Sequence, residues 1–304
     1  MTDTPPPADL AATVLALLDL ERLDTNLYRG PRKPGATGRV FGGQVVAQAL
    51  MAAQRTTDPT TRVHSMHAYF LRAGDETLPI IFHVERDFDG KSFANRRVTA
   101  LQNGLALLTL AASFQRPEPG LTHTTAMPVV PPPENLLPLD VLADDYADHF
   151  PAAAIAFLRR PSAFEIRPCA TPAFLQRAPA PAASHVWIRL RGAGPQDPAV
   201  GRGILAYLSD YALLSASLIP HGINMFDHSM QVASLDHAMW FHDDPPLADW
   251  LLYSSHSPWS GHGRGIARGM IHSRDGRLIA HVTQEGLIRM RPDLGPRTTV
   301  PHLP

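Results

Sequence analysis

Three polar residues in the second half of the chain stand where apolar residues are expected. Asp210 is the only charged residue in the apolar run 203–219, which has the composition of a buried helix. Gln284 alternates with apolar residues along a predicted strand and shares their face, and Ser234 begins another predicted strand. A carboxylate in apolar surroundings costs several kcal/mol unless it is paired, hydrogen-bonded or protonated, so Asp210 calls for an explanation.

An aspartate, a glutamine and a hydroxyl can together hold one water molecule. The carboxylate accepts a proton from the water, while the amide and the hydroxyl fix its direction. Such a set suits the hydrolysis of a carbonyl that is already reactive. Taken singly, each residue has a structural explanation: a capped Asp210, a hydrogen-bonded core Gln284, a surface Ser234. Their occurrence together in one half of the chain favours a site.

Other residue patterns offer weaker chemistry. The sequence has no Gly-x-Ser-x-Gly elbow for a serine hydrolase. His64 and His67 lie three apart on a predicted strand and so face opposite sides, which makes them poor co-ligands for a metal. Cys169 is the only cysteine, which excludes an intramolecular disulfide and favours a buried thiol over a nucleophile. We therefore expect neither a metal nor a cofactor.

The glycine-rich stretch 261–268 contains two arginines but fits neither phosphate-loop pattern. It is interpreted as a flexible turn, with a path for a phosphorylated ligand as the alternative.

Composition limits the broad class of the protein. The 304 residues suit about two domains, and 44% hydrophobic residues allow a sizeable core. The net charge of -1 gives no sign of a nucleic-acid partner. The start of the chain lacks the pattern of a secretory signal, the apolar run 10–20 is too short to span a bilayer, and the last residues are no peroxisomal address. We expect a cytoplasmic protein without stable membrane insertion.

Hydrophobic periodicity and turn residues predict the elements that would position these residues. Predicted helices are 10–23 (closed by 25–30), 41–54 and 203–219. Predicted strands are 62–72, 79–86, 92–102, 105–114, 185–191, 231–242, 250–256, 265–272 and 278–289. A proline-rich connection lies between the elements that end at 114 and those that begin at 185. One helix near 151–158 and one strand near 164–167 are predicted within it.

The two halves repeat one order of parts: helix, strand, strand and a hairpin of two strands. His67 matches His237 at an offset of 170, and the turn glycine Gly104 matches Gly276 at 172. A long apolar helix with antiparallel strands calls for a curved sheet that wraps it, which is the hotdog arrangement. We therefore predict an α+β double hotdog with two tandem repeats. Its parts would be 1–115 for the first repeat, 116–183 for the connection and 184–304 for the second repeat.

The first half serves as an internal control for the polar set. At these offsets Gln284 corresponds to Ala112, and Ser234 corresponds to His64. The stretch 37–54 around the first helix contains no acidic residue that would match Asp210. The sequence therefore places the polar set in the second repeat alone.

Several motifs resemble the acyl-CoA thioesterase II family. They are 40–50 (VFGGQVVAQAL), 64–72 (HSMHAYFLR), 92–104 (SFANRRVTALQNG), 235–242 (LDHAMWFH), 249–253 (DWLLY) and 282–286 (VTQEG). The resemblance runs from about residue 17 to 289 and is weakest in the proline-rich connection. It implies a double-hotdog fold, hydrolysis of acyl-CoA to free acid and CoA, and assembly into dimers or tetramers. It also implies a catalytic Asp, Gln and Thr or Ser that orient water, which by motif are Asp210, Gln284 and Ser234.

The resulting hypothesis makes Asp210 the general base or a carboxylate that orients the water, with Gln284 and Ser234 as the ligands of the attacking water. Backbone N–H groups near a helix start, beside Gly42 and Gly43, are candidate donors to the oxyanion. Two alternatives stay open. One is a hotdog hydratase or dehydratase, which would want an Asp/His pair. The other is a non-catalytic acyl-CoA-binding protein.

Overall fold

The computed structural model describes residues 7–291 apart from 34, 37, 146, 149, 151, 177 and 224–229. Its first half contains α1 (Pro7–Leu17), β1 (Glu21–Asp24), β2 (Leu27–Gly30), α2 (Gly42–Gln54), β3 (Arg62–Phe70), β4 (Ile80–Asp89), β5 (Phe93–Gln102) and β6 (Leu105–Gln115). Its second half contains α3 (Leu139–Leu142), α4 (Ala152–Leu158), β7 (Phe164–Pro168), β8 (Ala183–Leu190), α5 (Pro198–Ser209), β9 (Met230–Ser234), β10 (Asp236–Phe241), β11 (Leu251–Gly261), β12 (Arg264–Ser273) and β13 (Leu278–Met290).

The described strands form one antiparallel sheet in the order β1-β2-β4-β5-β6-β3-β10-β13-β12-β11-β8-β7, with β9 paired to β13 beside β10. The pairing of β3 with β10 joins the two halves at the centre. Each half repeats the other's strand order in reverse, so the halves are related by an internal two-fold. The predicted α+β double hotdog is the architecture that the sheet and its two central helices form.

The two central helices α2 and α5 pack against each other inside this sheet. Gly43 at the start of α2 lies against the backbone oxygen of Tyr207 near the end of α5. At the other end, Gln54 donates a hydrogen bond of 3.2 Å to the backbone oxygen of Ala199 near the start of α5. The helices therefore run antiparallel, and the start of each meets the end of the other.

The N-terminal segment differs from its prediction. The helix α1 ends at Leu17, whereas the predicted helix continued to residue 23. Residues 21–30 form the β1–β2 hairpin instead, with Asn26 at a φ of 60° in the turn. Asparagine tolerates this left-handed conformation and so permits a tight turn at residue 26. The predicted helix did not take this turn into account.

The strand predicted over 231–242 is broken. β9 ends at Ser234 and β10 begins at Asp236, while the N–H of Leu235 donates to the backbone oxygen of Glu285. The carboxylate of Asp236 accepts a hydrogen bond of 2.7 Å from the N–H of Glu285 and holds the break in place. The alternation of side chains between the two sides of the sheet therefore does not continue from β9 into β10.

The register of the internal repeat also differs from its prediction. Met66 and Ala68 are buried on β3, and His237 and Met239 are buried on β10. An offset of 171 (237 − 66) superposes these buried residues, whereas the predicted 170 would place exposed His67 on buried His237. A one-residue slip turns every side chain to the other face, so the match of two histidines was coincidental.

The proline-rich connection contributes to the sheet. Its predicted helix and strand are confirmed as α4 and β7, and β7 pairs with β8 at the edge of the second half.

The stretch Pro198–His221 is long and apolar enough to cross a membrane by length and composition. It is largely buried in the core of the protein.

Candidate active site

Asp210 lies at the end of α5, which corrects the prediction of a mid-helix position. α5 begins at Pro198, with Asp197 as its N-cap, and ends at Ser209. Ala212 follows in the left-handed region at a φ of 53°, so the chain leaves the helix and continues in short 3-10 turns. Asp210 is thus the C-cap of α5, and its side chain points beyond the end of α5 towards the start of α2.

The start of α2 approaches this carboxylate closely. The backbone N–H of Gly43 donates a hydrogen bond to the carboxylate of Asp210. A Cβ on Gly42 would lie 2.6 Å from Oδ2 of Asp210, and one on Gly43 would lie 2.3 Å from the backbone oxygen of Tyr207. Only residues without a side chain permit this approach. The Gly43 amide, proposed above as an oxyanion donor, therefore serves Asp210 instead.

Burial raises the pKa of Asp210 to about 6, although hydrogen bonds from Gln284 and Gly43 act in the opposite direction. Desolvation disfavours the charged carboxylate more than these donors stabilise it. The group is ionised at neutral pH and is a stronger base than an ordinary aspartate.

Gln284 connects the three residues identified from the sequence. Its amide nitrogen donates to Oδ1 of Asp210 at 3.0 Å and to Oγ of Ser234 at 2.5 Å. The residue is only 1% exposed, on the same buried face of β13 as Ala280 and Val282. The structure therefore brings all three residues together, from the end of α5, the end of β9 and the middle of β13.

The strand break at Leu235 orients Ser234 towards this cluster. By period two, Ser234 and His237 would face opposite sides of one strand. Because the chain is offset at Leu235, both side chains contact Gln284: Ser234 contacts its nitrogen and His237 its oxygen.

His237 is a member of the cluster that the sequence prediction missed. It is fully buried, with Nδ1 2.9 Å from Oε1 of Gln284 and Nε2 2.8 Å from Oγ of Ser209. Burial lowers its pKa to about 4, so the ring is neutral at pH 7. The available signal was a histidine on the apolar face formed by Leu235, Met239 and Phe241.

The first half of the chain has no matching polar set: three of the four equivalent positions are apolar and the fourth carries an arginine. Met66 corresponds to His237 and Val63 to Ser234 at the offset of 171, and Ala112 corresponds to Gln284 at 172. Arg55 is the C-cap of α2, as Asp210 is of α5. The sequence predicted that the first repeat lacks the polar set, and this is confirmed at these positions. The residue equivalent to Ser234, however, is Val63 and not His64.

Comparison with known proteins agrees with the fold. Residues 161–287 match the family model described as acyl-CoA thioesterase, and residues 31–115 match the acyl-CoA thioesterase N-terminal domain. The chain is 39% identical to human acyl-coenzyme A thioesterase 8, over 95% of this chain and 93% of that protein. It is 36% identical to acyl-CoA thioesterase 2 of Haemophilus influenzae, over 93% and 99%.

A solved structure shares the architecture and much of the sequence. The acyl-CoA thioesterase II TesB2 of Mycobacterium marinum superposes with a TM-score of 0.75 and is 39% identical, covering 93% of this chain and 99% of its own. The double hotdog, the family models over both halves and the relatives of nearly equal length point to one conclusion. This chain is a member of the acyl-CoA thioesterase family.

Proposed function

We propose that this chain hydrolyses acyl-CoA thioesters to free acid and CoA with a water molecule held by Asp210, Gln284 and Ser234. The family supplies the reaction and the acyl-CoA substrate. The observation that carries the assignment of residues is the amide of Gln284, which joins a desolvated carboxylate to a hydroxyl.

In this mechanism the water oxygen attacks the thioester carbonyl while Asp210 removes a proton from the water. A C–O bond forms, and the carbonyl becomes a tetrahedral oxyanion. When the intermediate collapses, the C–S bond breaks and the electron pair leaves with sulfur, which takes up the proton held by Asp210. Because a thiolate is a good leaving group, no covalent enzyme intermediate is needed. Gln284 holds the Asp210 carboxylate and the Ser234 hydroxyl in place, and these two groups fix the direction of the water.

The raised pKa of Asp210 suits this role. A base is most effective when its pKa lies near the working pH but leaves it ionised there. A value of about 6 meets both conditions at neutral pH.

The alternative of a hotdog hydratase or dehydratase receives less support from the geometry. That chemistry would want a histidine paired with the aspartate. His237 lies near, but the amide of Gln284 stands between it and Asp210 and hydrogen-bonds to both.

The direct test incubates the purified protein with octanoyl-CoA and palmitoyl-CoA and follows free thiol. Thiol release above an enzyme-free control supports hydrolysis. Ligand binding without thiol release would instead support an acyl-CoA-binding protein. A parallel incubation with a trans-2-enoyl-CoA tests the lyase, which would hydrate the double bond without releasing thiol. Both substrates are included because the chain length that the protein prefers is open.

We also propose that the chain assembles into a homo-oligomer, as the family resemblance implies. In support, Tyr69 on β3 is 62% exposed and Trp240 on β10 is 36% exposed at the central seam of the sheet. Light scattering coupled to size exclusion should give a mass of two or four chains. A mass of one chain at micromolar concentration would contradict the proposal.

A further inference from the structure

The buried imidazole of His237 lies between two polar groups that the proposed mechanism does not yet use together. Oε1 of Gln284 lies 2.9 Å from Nδ1, and Oγ of Ser209 lies 2.8 Å from Nε2. The Ser209 hydroxyl also lies 2.8 Å from the backbone oxygen of Ala206. The backbone oxygen of Ser209 in turn accepts a hydrogen bond of 2.6 Å from Tyr253. The imidazole is therefore held at both nitrogens.

The hydrogen-bonding capacity of each group fixes the direction of these bonds. Both hydrogens of the Gln284 amide nitrogen are given to Asp210 and Ser234. The amide oxygen can only accept, so Nδ1 of His237 must carry the proton that is donated to it. A neutral ring then has a bare Nε2, which competes with the backbone oxygen of Ala206 for the single hydrogen of the Ser209 hydroxyl.

The reversed arrangement conflicts with an ionised Asp210. If Nε2 carried the proton, Nδ1 would be bare and would face the lone pairs of the Gln284 oxygen. Turning the amide over would relieve that repulsion, but it would direct the amide oxygen at the carboxylate of Asp210. This state is consistent only when Asp210 is protonated.

We infer that His237 is a positioning residue, which donates from Nδ1 to Gln284 and thereby holds the amide nitrogen towards Asp210 and Ser234. The inference rests on the proposed function, since the amide being positioned is the one that sets the Asp210 carboxylate and the Ser234 hydroxyl around the attacking water. The imidazole itself touches neither substrate nor water in this scheme.

The titratable groups around this network come from three elements. Asp210 and Tyr207 belong to α5 and its end, Tyr211 follows them, and Tyr253 comes from β11. Burial raises the pKa of Tyr207 and Tyr211, and that of Tyr253 lies well above its usual range. Asp210 is therefore the group of this set whose charge changes between pH 5 and 8.

The chain itself supplies a conservative test substitution. Met66 occupies the position equivalent to His237 in the first repeat and is fully buried there. His237→Met thus places in the second repeat a residue that the same fold already packs. His237→Asn retains an amide N–H close to the position of Nδ1. His272 on β12 is also 0% exposed, outside the network, so His272→Met is the matched control for loss of a buried imidazole.

We expect His237→Met to lower kcat by about 10- to 100-fold, the effect of one buried hydrogen bond left unmade. KM should stay within about twofold, because the amide positions the groups that orient water and does not bind the acyl-CoA. His237→Asn should recover most of the lost kcat, and His272→Met should leave it unchanged. In His237→Met the acid limb of the kcat profile should also move to higher pH, because the freed amide can now pair with protonated Asp210.

A kcat for His237→Met equal to that of the parent would overturn the inference. So would equal losses in His237→Met and His237→Asn, since a loss that the donor does not repair is a packing effect.

A second measurement does not depend on any variant being stable. In protein labelled with ¹⁵N-histidine, the His237 signals at pH 7.5 should show a protonated Nδ1 and a bare Nε2. A protonated Nε2, with Nδ1 either bare or protonated, would overturn the inference directly. Because this readout needs no turnover, it stands apart from the proposed function: a parent protein that releases no thiol would refute the hydrolase, whereas the tautomer alone decides the network.

Discussion

At the scale of single residues, Asp210 is held between opposing effects. Burial disfavours its charge, whereas the Gln284 amide and the Gly43 N–H at the start of α2 stabilise it. The protein interior therefore favours the protonated form of Asp210 more than water does. The carboxyl titrates close to neutral pH, and its ionisation should control the rate.

The pH dependence of hydrolysis follows from this balance. Since the base acts only when ionised, kcat/KM should fall below pH about 6, by tenfold for each further unit, and should level off above pH 7. Initial rates of thiol release between pH 4.5 and 8, corrected for unfolding, measure this profile. An acid limb near pH 4 would show that an unperturbed carboxyl carries the reaction.

Ser234 should contribute through its hydroxyl. Ser234→Ala leaves the Gln284 amide nitrogen without one acceptor and should lower kcat by about tenfold, the effect of one hydrogen bond. Ser234→Thr keeps the hydroxyl and should retain activity within a few-fold of the parent. Steady-state kinetics of both variants with one acyl-CoA would check this, and equal losses in the two would contradict a role for the hydroxyl.

Residue types alone predicted three members of this cluster but not the fourth. Asp210 and Gln284 each broke an apolar pattern, and a broken pattern is visible in a sequence. His237 broke one too, on the apolar face of its strand. Because histidine is amphipathic, it is as common in a core as in a site, and only the contact with Gln284 distinguishes the two.

At the scale of elements, the site depends on how closely the start of α2 meets the end of α5. Gly42 and Gly43 make that approach, and Gly201 within α5 provides a control where a Cβ would meet only ordinary contacts at 3.8 and 3.9 Å. All three are helical, so alanine would stabilise each by up to about 1 kcal/mol if no contact opposed it.

Alanine at these glycines should separate function from stability. Gly42→Ala displaces the carboxylate of Asp210 and comes within 3.2 Å of the Phe70 ring, so kcat should fall and the stability cost should be smaller than for Gly43→Ala. Gly43→Ala presses on the backbone of α5 and should cost about 1–3 kcal/mol of stability. Gly201→Ala should be neutral or stabilising. Thermal melts and kinetics of the three variants test this order, and an active Gly42→Ala would contradict the geometry.

Element boundaries were less predictable than element types. The largely apolar α2 was predicted within one residue, because no charged residue interrupts it. The end of α5 and the break at Leu235 were missed, since both depend on contacts with distant strands. The carboxylate of Asp236, for example, caps the N–H of Glu285, which lies 49 residues away.

At the scale of the whole molecule, the sheet and the core are continuous across the two repeats. The pairing of β3 with β10 joins the half-sheets, and one cluster of buried residues includes side chains from both central helices. The order of parts in each repeat was sufficient to predict the double hotdog. The register between repeats was not predictable from matched letters, because only burial shows which face a residue takes.

Such continuity should make unfolding a single transition. The four tryptophans all lie in the second repeat, between residues 187 and 259, so their fluorescence reports on that half. Far-ultraviolet circular dichroism reports on the whole chain. The two urea midpoints should coincide. A fluorescence transition that clearly precedes the loss of circular dichroism would show that the repeats unfold independently.

The variant Asp210→Asn bears on the central claim, and its stability can be predicted first. The pKa of Asp210 is raised on folding from 3.8 to about 6, so the folded state binds the proton more tightly. Stability from this group is present below pH 4 and is lost as the pH rises through 6, at an order-of-magnitude cost of about 3 kcal/mol at neutral pH. Asp210→Asn should therefore fold at least as stably as the parent at pH 7.5.

The most direct measurement is the rate of thiol release from octanoyl-CoA by Asp210→Asn beside the parent protein, at pH 7.5 and with both melting temperatures recorded. The account predicts a folded variant whose kcat is lower by about 100- to 10,000-fold, the range of a lost general base. A folded Asp210→Asn that hydrolyses the substrate at a rate near that of the parent would contradict it.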